Sequence, residues 1–210
     1  MRTPEDLIAD ARFAGVRDER LLAAFRALPR AEFVAAEVAG RAYVDEPLPI
    51  AHAQVTTQPS LVARMVEALE LAGSERDLEI GTGSGWQTAL MARLAELVWS
   101  VERWPDLAES ARERVQRLGV SNAEIVIGDG SQGLPEHAPY DAILVSAAFP
   151  SVPQPLAAQL ADGGRLVQPL GRGGAEDVAL FKREGGRLAR RRDLTGARFV
   201  RLVGRHGFRS

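Results

Sequence analysis

Short apolar runs alternate along the middle of the chain with segments in which apolar residues recur every three or four positions. The apolar runs predict parallel strands, and they occupy residues 77–80, 97–101, 124–127, 141–146 and 165–169. The helical patterns that follow them occupy residues 85–95, 105–118 and 153–160. Strands that alternate with helices form βαβ units, so we predict an α/β fold built on a doubly wound, mostly parallel sheet.

The N-terminal part of the chain predicts a helical extension to this sheet. Apolar residues three and four positions apart indicate helices at 6–13 and 18–28, and a further helix at 60–69 after Pro59. Residues 29–58 show no regular period. A long irregular segment in a compact domain is usually functional.

The C-terminal part predicts antiparallel edge strands. Residues 178–182 and 198–203 are the two apolar runs, joined either by a turn at Gly185 and Gly186 or by a longer loop. Residues 187–192 contain four arginines. Such a run is either a phosphate-binding patch or, more often, a solvated face, and we favour the solvated face.

Composition excludes several classes of chemistry. The 210 residues include no cysteine, so disulfides, thiolate metal sites and cysteine nucleophiles are excluded. The three histidines are scattered, and we expect no metal site. A net charge of −2 argues against a nucleic-acid binder. Because no stretch approaches the roughly 18 uninterrupted apolar residues of a membrane span, we expect a cytoplasmic protein without a membrane partner, and we expect a monomer.

A glycine-rich segment, LEIGTGSG at residues 78–85, follows the first predicted strand. Its alternate glycines allow the backbone to turn sharply and approach a ligand closely. A dinucleotide fingerprint needs another glycine at the position of Trp86, which disfavours a nicotinamide-dependent oxidoreductase. Glu79 repels a phosphate but attracts an ammonium or a sulfonium. S-adenosylmethionine carries both cations, so the segment predicts a site for this cofactor.

Two further carboxylates follow the next two predicted strands. Glu102 lies about 20 residues past the glycine loop, where an acidic residue accepts hydrogen bonds from ribose hydroxyls. Asp129 follows the third strand, and we expect it to accept from the adenine amino group. Each feature alone also fits a structural turn, but the carboxyl ends of parallel strands converge on one crevice. The predicted cofactor-binding residues are Glu79, Gly81, Gly83, Ser84, Gly85, Glu102, Asp129 and Gly130.

Several longer segments share the residue patterns of one enzyme family. They are LPRAEF at 28–33, AYVDEPLPI at 42–50, QPSLVARM at 58–65 and GGRLVQPLG at 163–171. These segments resemble the protein-L-isoaspartate (D-aspartate) O-methyltransferases, which are S-adenosylmethionine-dependent and have a Rossmann-like fold. The resemblance covers most of the chain. It implies a single methyltransferase domain over residues 1–210, with the N-terminal helices and a substrate-side segment in 1–58 and the cofactor-binding core in 59–210.

The resemblance also implies the reaction. The enzyme is expected to transfer a methyl group from S-adenosylmethionine to the α-carboxylate of L-isoaspartyl residues in damaged proteins or peptides, which begins their repair and leaves S-adenosylhomocysteine. A carboxylate with a pKa near 4 is already ionised at pH 7, so the reaction needs no general base. Orientation and desolvation of the carboxylate are the expected sources of catalysis.

The resemblance assigns acceptor-side residues as well. Thr57 stands where the family has a catalytic serine, although Thr56 and Thr57 also suit a helix cap before Pro59. Arg201 replaces a family proline near the bound peptide, where it either reshapes the cleft or adds a cation for an acidic peptide. Ala53 stands where the family has a glycine. The expected substrate-binding residues are His52, Thr56, Val200 and Arg201.

Two other functions remain open from the sequence. One is a methyltransferase of the same fold that acts on another carboxylate, in a small molecule or a modified biosynthetic peptide. The other is a non-catalytic S-adenosylmethionine-binding protein. Replacing Thr57 by valine separates catalysis from binding alone, because a binding protein is indifferent to that change.

Overall fold

A seven-stranded sheet forms the centre of the computed structural model, which describes residues 2–209. Its spatial order is β3-β2-β1-β4-β5-β6-β7, with β1 to β5 parallel and the last two strands antiparallel. This arrangement confirms the predicted α/β fold with a Rossmann-like, mostly parallel sheet and antiparallel edge strands. The strands are β1 (Arg76–Ile80), β2 (Leu97–Glu102), β3 (Ala123–Ile127), β4 (Tyr140–Val145), β5 (Leu160–Leu170), β6 (Glu176–Glu184) and β7 (Arg187–Ala197).

Helices cover both faces of the sheet unequally. The helices are α1 (Pro4–Phe13), α2 (Glu19–Ala27), α3 (Pro59–Glu67), α4 (Trp86–Ala92), α5 (Pro105–Arg117) and α6 (Gln154–Gln159). Buried residues of α1 to α5 form one hydrophobic cluster with one face of the sheet, and Leu156 of α6 belongs to the cluster on the other face. None of the helices within residues 2–209 combines the length and apolar character needed to cross a bilayer.

Side-chain alternation along β1 separates the two faces. Leu78 and Ile80 are buried in the cluster on the α6 face, and successive side chains of a strand point to opposite faces. Asp77 and Glu79 therefore point toward the face covered by α1 to α5. In register, Ile80 pairs with Val101 of β2 and with Val145 of β4, so the carboxyl ends of these three strands lie at one edge.

The C-terminal hairpin differs from the prediction. Gly185 and Gly186 form its turn, with φ of 56° and 76°, and Glu184 pairs directly with Arg187 across it. The second strand is therefore β7, and the prediction of a strand at 198–203 was wrong. The two-residue turn determines which residues pair, whatever their hydrophobicity.

The apolar residues at 198–203 cover strand ends instead. Ala148 donates to the carbonyl of Val200 and Leu202 donates to that of Ala148, both at 2.8 Å. Leu202 is buried in the cluster on the α6 face. This segment consequently lies over the edge of the sheet where the glycine loop is found.

Candidate active site

A first cavity of about 400 Å³ opens where β1 and β2 end. Gly81, Gly83 and Ser84 line it, and both glycines adopt positive φ, 95° and 54°. Gly85 also has a positive φ, of 88°, but it does not line the cavity, and a Cβ there would lie 3.0 Å from the Cβ of Ala111 on α5. The glycine loop therefore exposes its backbone to the cavity, as expected for a loop that receives a ligand.

Glu79 lies behind this cavity and does not line it. Its carboxylate is fully buried and accepts from Gln87 Nε2 at 2.8 Å, from Ser100 Oγ at 2.6 Å and from the Thr88 hydroxyl. Burial raises the pKa of Glu79 to about 7. The expected direct contact between Glu79 and a ligand cation does not fit this placement, because the carboxylate is fully buried and does not line the cavity.

Gln87 lies between Glu79 and the cavity. Its Nε2 donates to Glu79 and, at 2.9 Å, to Ser146 Oγ, and its side chain lines the first cavity. The buried Oε1 has no hydrogen-bond partner within residues 2–209. Buried polar atoms normally have partners, so this oxygen is a candidate acceptor for a ligand donor. The sequence analysis missed Gln87, although its place in the first turn of the helix after the glycine loop is a usable signal.

Glu102 lines the first cavity and holds the glycine loop. Its Oε2 accepts from the Gly83 amide at 2.9 Å, and its Oε1 accepts from the Trp104 amide at 3.0 Å. An ionised carboxylate has roughly four acceptor positions, so both oxygens retain capacity for ligand hydroxyls. This placement supports the predicted role of Glu102 toward a ribose.

Asp129 does not line the first cavity, whereas its neighbour Gly130 does. Oδ1 of Asp129 accepts from the amide and the hydroxyl of Ser131, and Oδ2 accepts from the Arg205 amide at 2.7 Å. The carboxylate thus fastens the C-terminal segment to the turn after β3. The expected hydrogen bond from an adenine amino group to Asp129 is not supported by these contacts.

Arg30 organises the irregular segment that forms the other side of the site. Its buried guanidinium donates to three backbone carbonyls between residues 42 and 46 and, at 2.9 Å, to Thr56 Oγ1. Burial lowers the pKa of Arg30 to about 10, so the group stays charged at neutral pH. The guanidinium also lies 5.6 Å from the centre of the Trp86 ring. One side chain therefore fixes the segment against the start of α4.

Thr57 lines the first cavity with an uncommitted hydroxyl. No hydrogen bond of its Oγ1 is found within the described part of the chain, residues 2–209, whereas Thr56 Oγ1 accepts from Arg30 and from the Leu48 amide. Neither threonine caps α3. Asp45 caps α3 although it is distant from this helix in the sequence, because its Oδ1 accepts from the Ser60 amide at 2.8 Å. The capping role considered for Thr56 and Thr57 is therefore wrong.

A second cavity, of about 370 Å³, meets the first one beside Thr57. Both cavities are lined by Val55, Thr56, Thr57, Ser146 and Val200. The second cavity continues between the start of α3 and the end of β7, and Phe199 contributes to its wall. The two cavities have room for two ligands side by side, and the Thr57 hydroxyl lies at their junction, which suits transfer of a group between the two.

His52 lies on the side of the first cavity formed by the start of α5. Its ring stacks on Trp104, and its Nε2 lies 2.8 Å from Oδ1 of Asp106. His52 lines neither cavity, so the expected contact with the acceptor is not supported. It instead fastens residues 50–54 to the start of α5.

Arg201 lines the first cavity, and Val200 lines both. The Arg201 Nε donates to the Arg172 carbonyl at 3.1 Å, and its guanidinium lies 5.2 Å from the centre of the Phe208 ring. Arg201 thus places an exposed cation at the rim of the site.

Comparisons with known proteins agree with one another. A family model described as protein-L-isoaspartate(D-aspartate) O-methyltransferase matches residues 2–207. The protein-L-isoaspartate O-methyltransferase of Methanoculleus marisnigri is 52% identical over 198 residues, covering 94% of this chain and 89% of the relative. That of Geobacter metallireducens is 50% identical over 195 residues, covering 92% and 90%.

Solved structures give the same family name. A protein-L-isoaspartate O-methyltransferase superposes with a TM-score of 0.87 at 33% identity, covering 98% of this chain and 67% of that one. A second structure, from Plasmodium falciparum and titled a putative protein-L-isoaspartate O-methyltransferase in complex with S-adenosyl-L-homocysteine, has a TM-score of 0.79. It is 22% identical and covers 97% of this chain and 99% of that one, and at this identity it supports the fold alone.

Proposed function

The chain belongs to the protein-L-isoaspartate(D-aspartate) O-methyltransferase family, and from that premise we propose how the parts of its site divide the reaction. The enzyme transfers a methyl group from S-adenosylmethionine to the α-carboxylate of L-isoaspartyl residues in proteins and peptides. The observation that carries the assignment of roles is the free hydroxyl of Thr57 at the junction of two cavities. The first cavity receives the cofactor and the second receives the acceptor.

The residues of the first cavity fit S-adenosylmethionine. The orphaned Oε1 of Gln87 is a buried acceptor for the ammonium of the methionine part, and Glu102 retains acceptor capacity for the ribose hydroxyls. The backbone at Gly81 and Gly83 leaves room for close approach. When bound, S-adenosylmethionine supplies the methyl group from a positively charged sulfur.

Thr57 is the catalytic residue in this proposal. Its hydroxyl donates a hydrogen bond to one oxygen of the acceptor carboxylate and leaves the other oxygen oriented toward the first cavity. The carboxylate is already ionised, so no protein group removes a proton. Thr57 contributes orientation, and the apolar walls around it remove water from the attacking oxygen.

Arg30 and Asp45 position Thr57, and Arg30 also lines the first cavity. Arg30 holds the neighbouring Thr56 hydroxyl, and Asp45 satisfies the start of α3. Asp45 therefore caps α3 in place of Thr57, and Arg30 holds the segment that carries Thr57.

We also propose that residues 1–210 form a single domain, because α1 and α2 contribute to the same hydrophobic cluster as β4 and β5.

The test measures transfer of labelled methyl from S-adenosylmethionine to a short isoaspartyl peptide, beside the same peptide with ordinary aspartate. Base-labile ester on the isoaspartyl peptide alone is the expected result. Thr57→Val should lower kcat by roughly tenfold or more because one hydrogen bond to a charged group is lost. Thr57→Ser keeps the hydroxyl and should stay within a few-fold of the unchanged enzyme.

Two results would contradict this assignment. Cofactor binding without transfer to the isoaspartyl peptide would move the search to other acceptors, such as a carboxylate of a small molecule or of a modified biosynthetic peptide. Equal rates for Thr57→Val and Thr57→Ser would remove Thr57 from the catalytic role.

A further inference from the structure

The walls of the second cavity carry positive charge without a carboxylate. Arg64 from α3 and Arg198 after β7 line it, and no aspartate or glutamate does so within residues 2–209. The Arg64 guanidinium donates to the Leu194 carbonyl, and Arg198 is exposed. Neither arginine forms an ion pair with any carboxylate in the described chain, and the same holds for Arg201 at the rim of the first cavity.

Carboxylates next to the second cavity are engaged by backbone amides. Asp45 accepts from the Ser60 amide at the start of α3. Glu176 is buried and accepts from the amides of Gly173 and Phe199, each at 2.9 Å. Neither carboxylate lines the second cavity or forms an ion pair with its arginines, whereas Arg190 and Arg191 on the nearby hairpin pair with Asp193 and Glu184.

This local charge has the opposite sign to the whole chain, whose net charge is −2. A basic cavity on a weakly acidic protein favours acidic ligands over basic ones, because Coulomb attraction in a partly desolvated cleft is screened less than on an open surface. The second cavity is also the place where residues flanking the isoaspartyl residue must lie if Thr57 holds its carboxylate.

We propose that the second cavity selects isoaspartyl peptides with acidic residues beside the isoaspartate, with Arg198 and Arg64 as the specificity-determining residues and Arg201 reinforcing them. This inference rests on the function proposed above. The arginines act on the flanking residues and Thr57 acts on the reacting carboxylate. Flanking charge should therefore change KM and leave kcat nearly constant.

The experiment uses three peptides that share one isoaspartyl centre and carry glutamate, glutamine or lysine on both sides of it. The expected order of kcat/KM is glutamate, then glutamine, then lysine, with the difference carried by KM. Arg198→Ala should raise KM for the glutamate peptide by about two- to fivefold. Arg198→Glu should reverse the order of the glutamate and lysine peptides. Added salt should reduce the preference of the unchanged enzyme.

Arg187→Ala is the matched control, because Arg187 is exposed beside the hairpin turn and lines neither cavity. It makes the same change in net charge and should leave the order of the three peptides unchanged. Equal KM values for the glutamate and lysine peptides in the unchanged enzyme would overturn the inference, as would equal effects of Arg187→Ala and Arg198→Ala.

Failure of the proposed function is separable from failure of this inference. Methylation of the glutamine peptide establishes the function independently of flanking charge. If none of the three peptides is methylated, fluorescent versions of them are titrated against the enzyme saturated with S-adenosylhomocysteine. Tighter binding of the glutamate peptide would then support the charge preference, and equal binding of all three would overturn it.

Discussion

His52 and Trp104 lie face to face, with ring centroids 3.9 Å apart and planes 3° from parallel. The same imidazole reaches Asp106 in the first turn of α5, so a loop and a helix start are joined beside the first cavity. Residues Ile50 and Gln54, on either side of this contact, line the cavity, as does Trp104. The stacked pair therefore closes one side of the first cavity.

Weakening this closure should affect the cofactor more than the acceptor. The hydrogen bond from His52 lowers the pKa of Asp106, which keeps the carboxylate ionised as the partner of the imidazole. Asp106→Asn should raise the Kd of S-adenosylmethionine by less than about fivefold, since the pair is exposed. Isothermal titration calorimetry measures this change. Glu109→Gln, at an exposed position on the same helix, should leave the Kd unchanged, and an equal effect of both variants would contradict the closure.

The loop that carries His52 is strained at Ala53. Ala53 has a φ of 53°, in the left-handed region that favours glycine. Ala53→Gly should raise the free energy of unfolding by up to about 1 kcal/mol, measured by urea denaturation. Ala51→Gly is the control, because Ala51 lies in the same loop without a positive φ. That change should lower stability slightly, and a loss of stability in Ala53→Gly as well would show that the strain is absent.

Gln87 should be needed for cofactor affinity. Gln87→Met keeps the side-chain length but removes the acceptor assigned to the ammonium of S-adenosylmethionine, together with the Nε2 donor to Glu79 and Ser146. We expect the Kd of S-adenosylmethionine and of S-adenosylhomocysteine to rise by about tenfold, the loss of one hydrogen bond to a charged group. Gln116→Met, on the exposed face of α5, is the matched control. Unchanged affinity in Gln87→Met would leave its unpartnered oxygen without a ligand role.

Asp77 should make the enzyme less stable as the pH rises. It is fully buried, both carboxyl oxygens lack partners within residues 2–209, and burial raises its pKa well above the ordinary value. Because the native state keeps the proton while the unfolded state releases it near pH 4, stability falls as pH rises above about 4. Asp77→Asn should therefore be more stable than the unchanged enzyme at pH 7, by more than about 1 kcal/mol.

Urea denaturation at pH 5 and pH 8 measures this effect. The gain from Asp77→Asn should be larger at pH 8 than at pH 5, and Glu37→Gln, at an exposed position, should show no such trend. Glu79 also makes the free energy of unfolding fall as the pH rises, in the unchanged enzyme and in Asp77→Asn alike. Its raised pKa of about 7 removes stability between about pH 4.5 and 7. A gain that is equal at the two pH values would rule out ionisation of Asp77 as the cause.

Local patterns in the sequence determined the secondary structure of the core. The five apolar runs became β1 to β5, and the glycine loop lies at the end of β1, because strand burial and turn formation depend on neighbouring residues. The roles predicted for Glu102 and Thr57 rest on their positions along the chain, and both residues line the first cavity. The two-residue turn at Gly185 was equally local, but the strand that it joins to β6 carries four arginines at 187–192, and hydrophobicity alone pointed to residues 198–203 instead.

Contacts between distant residues decided which side chains face the ligands. Glu79 is buried because alternation along β1 directs it toward α4, and Gln87 takes its place at the cavity. Asp129 is occupied by an amide 76 residues away, and Thr57 is free because Asp45 caps the helix that follows it. Such pairings arise only when the sheet and helices assemble, so no periodicity of the sequence predicts them. The residue types at the site were visible in the sequence, and their orientation depended on the tertiary structure.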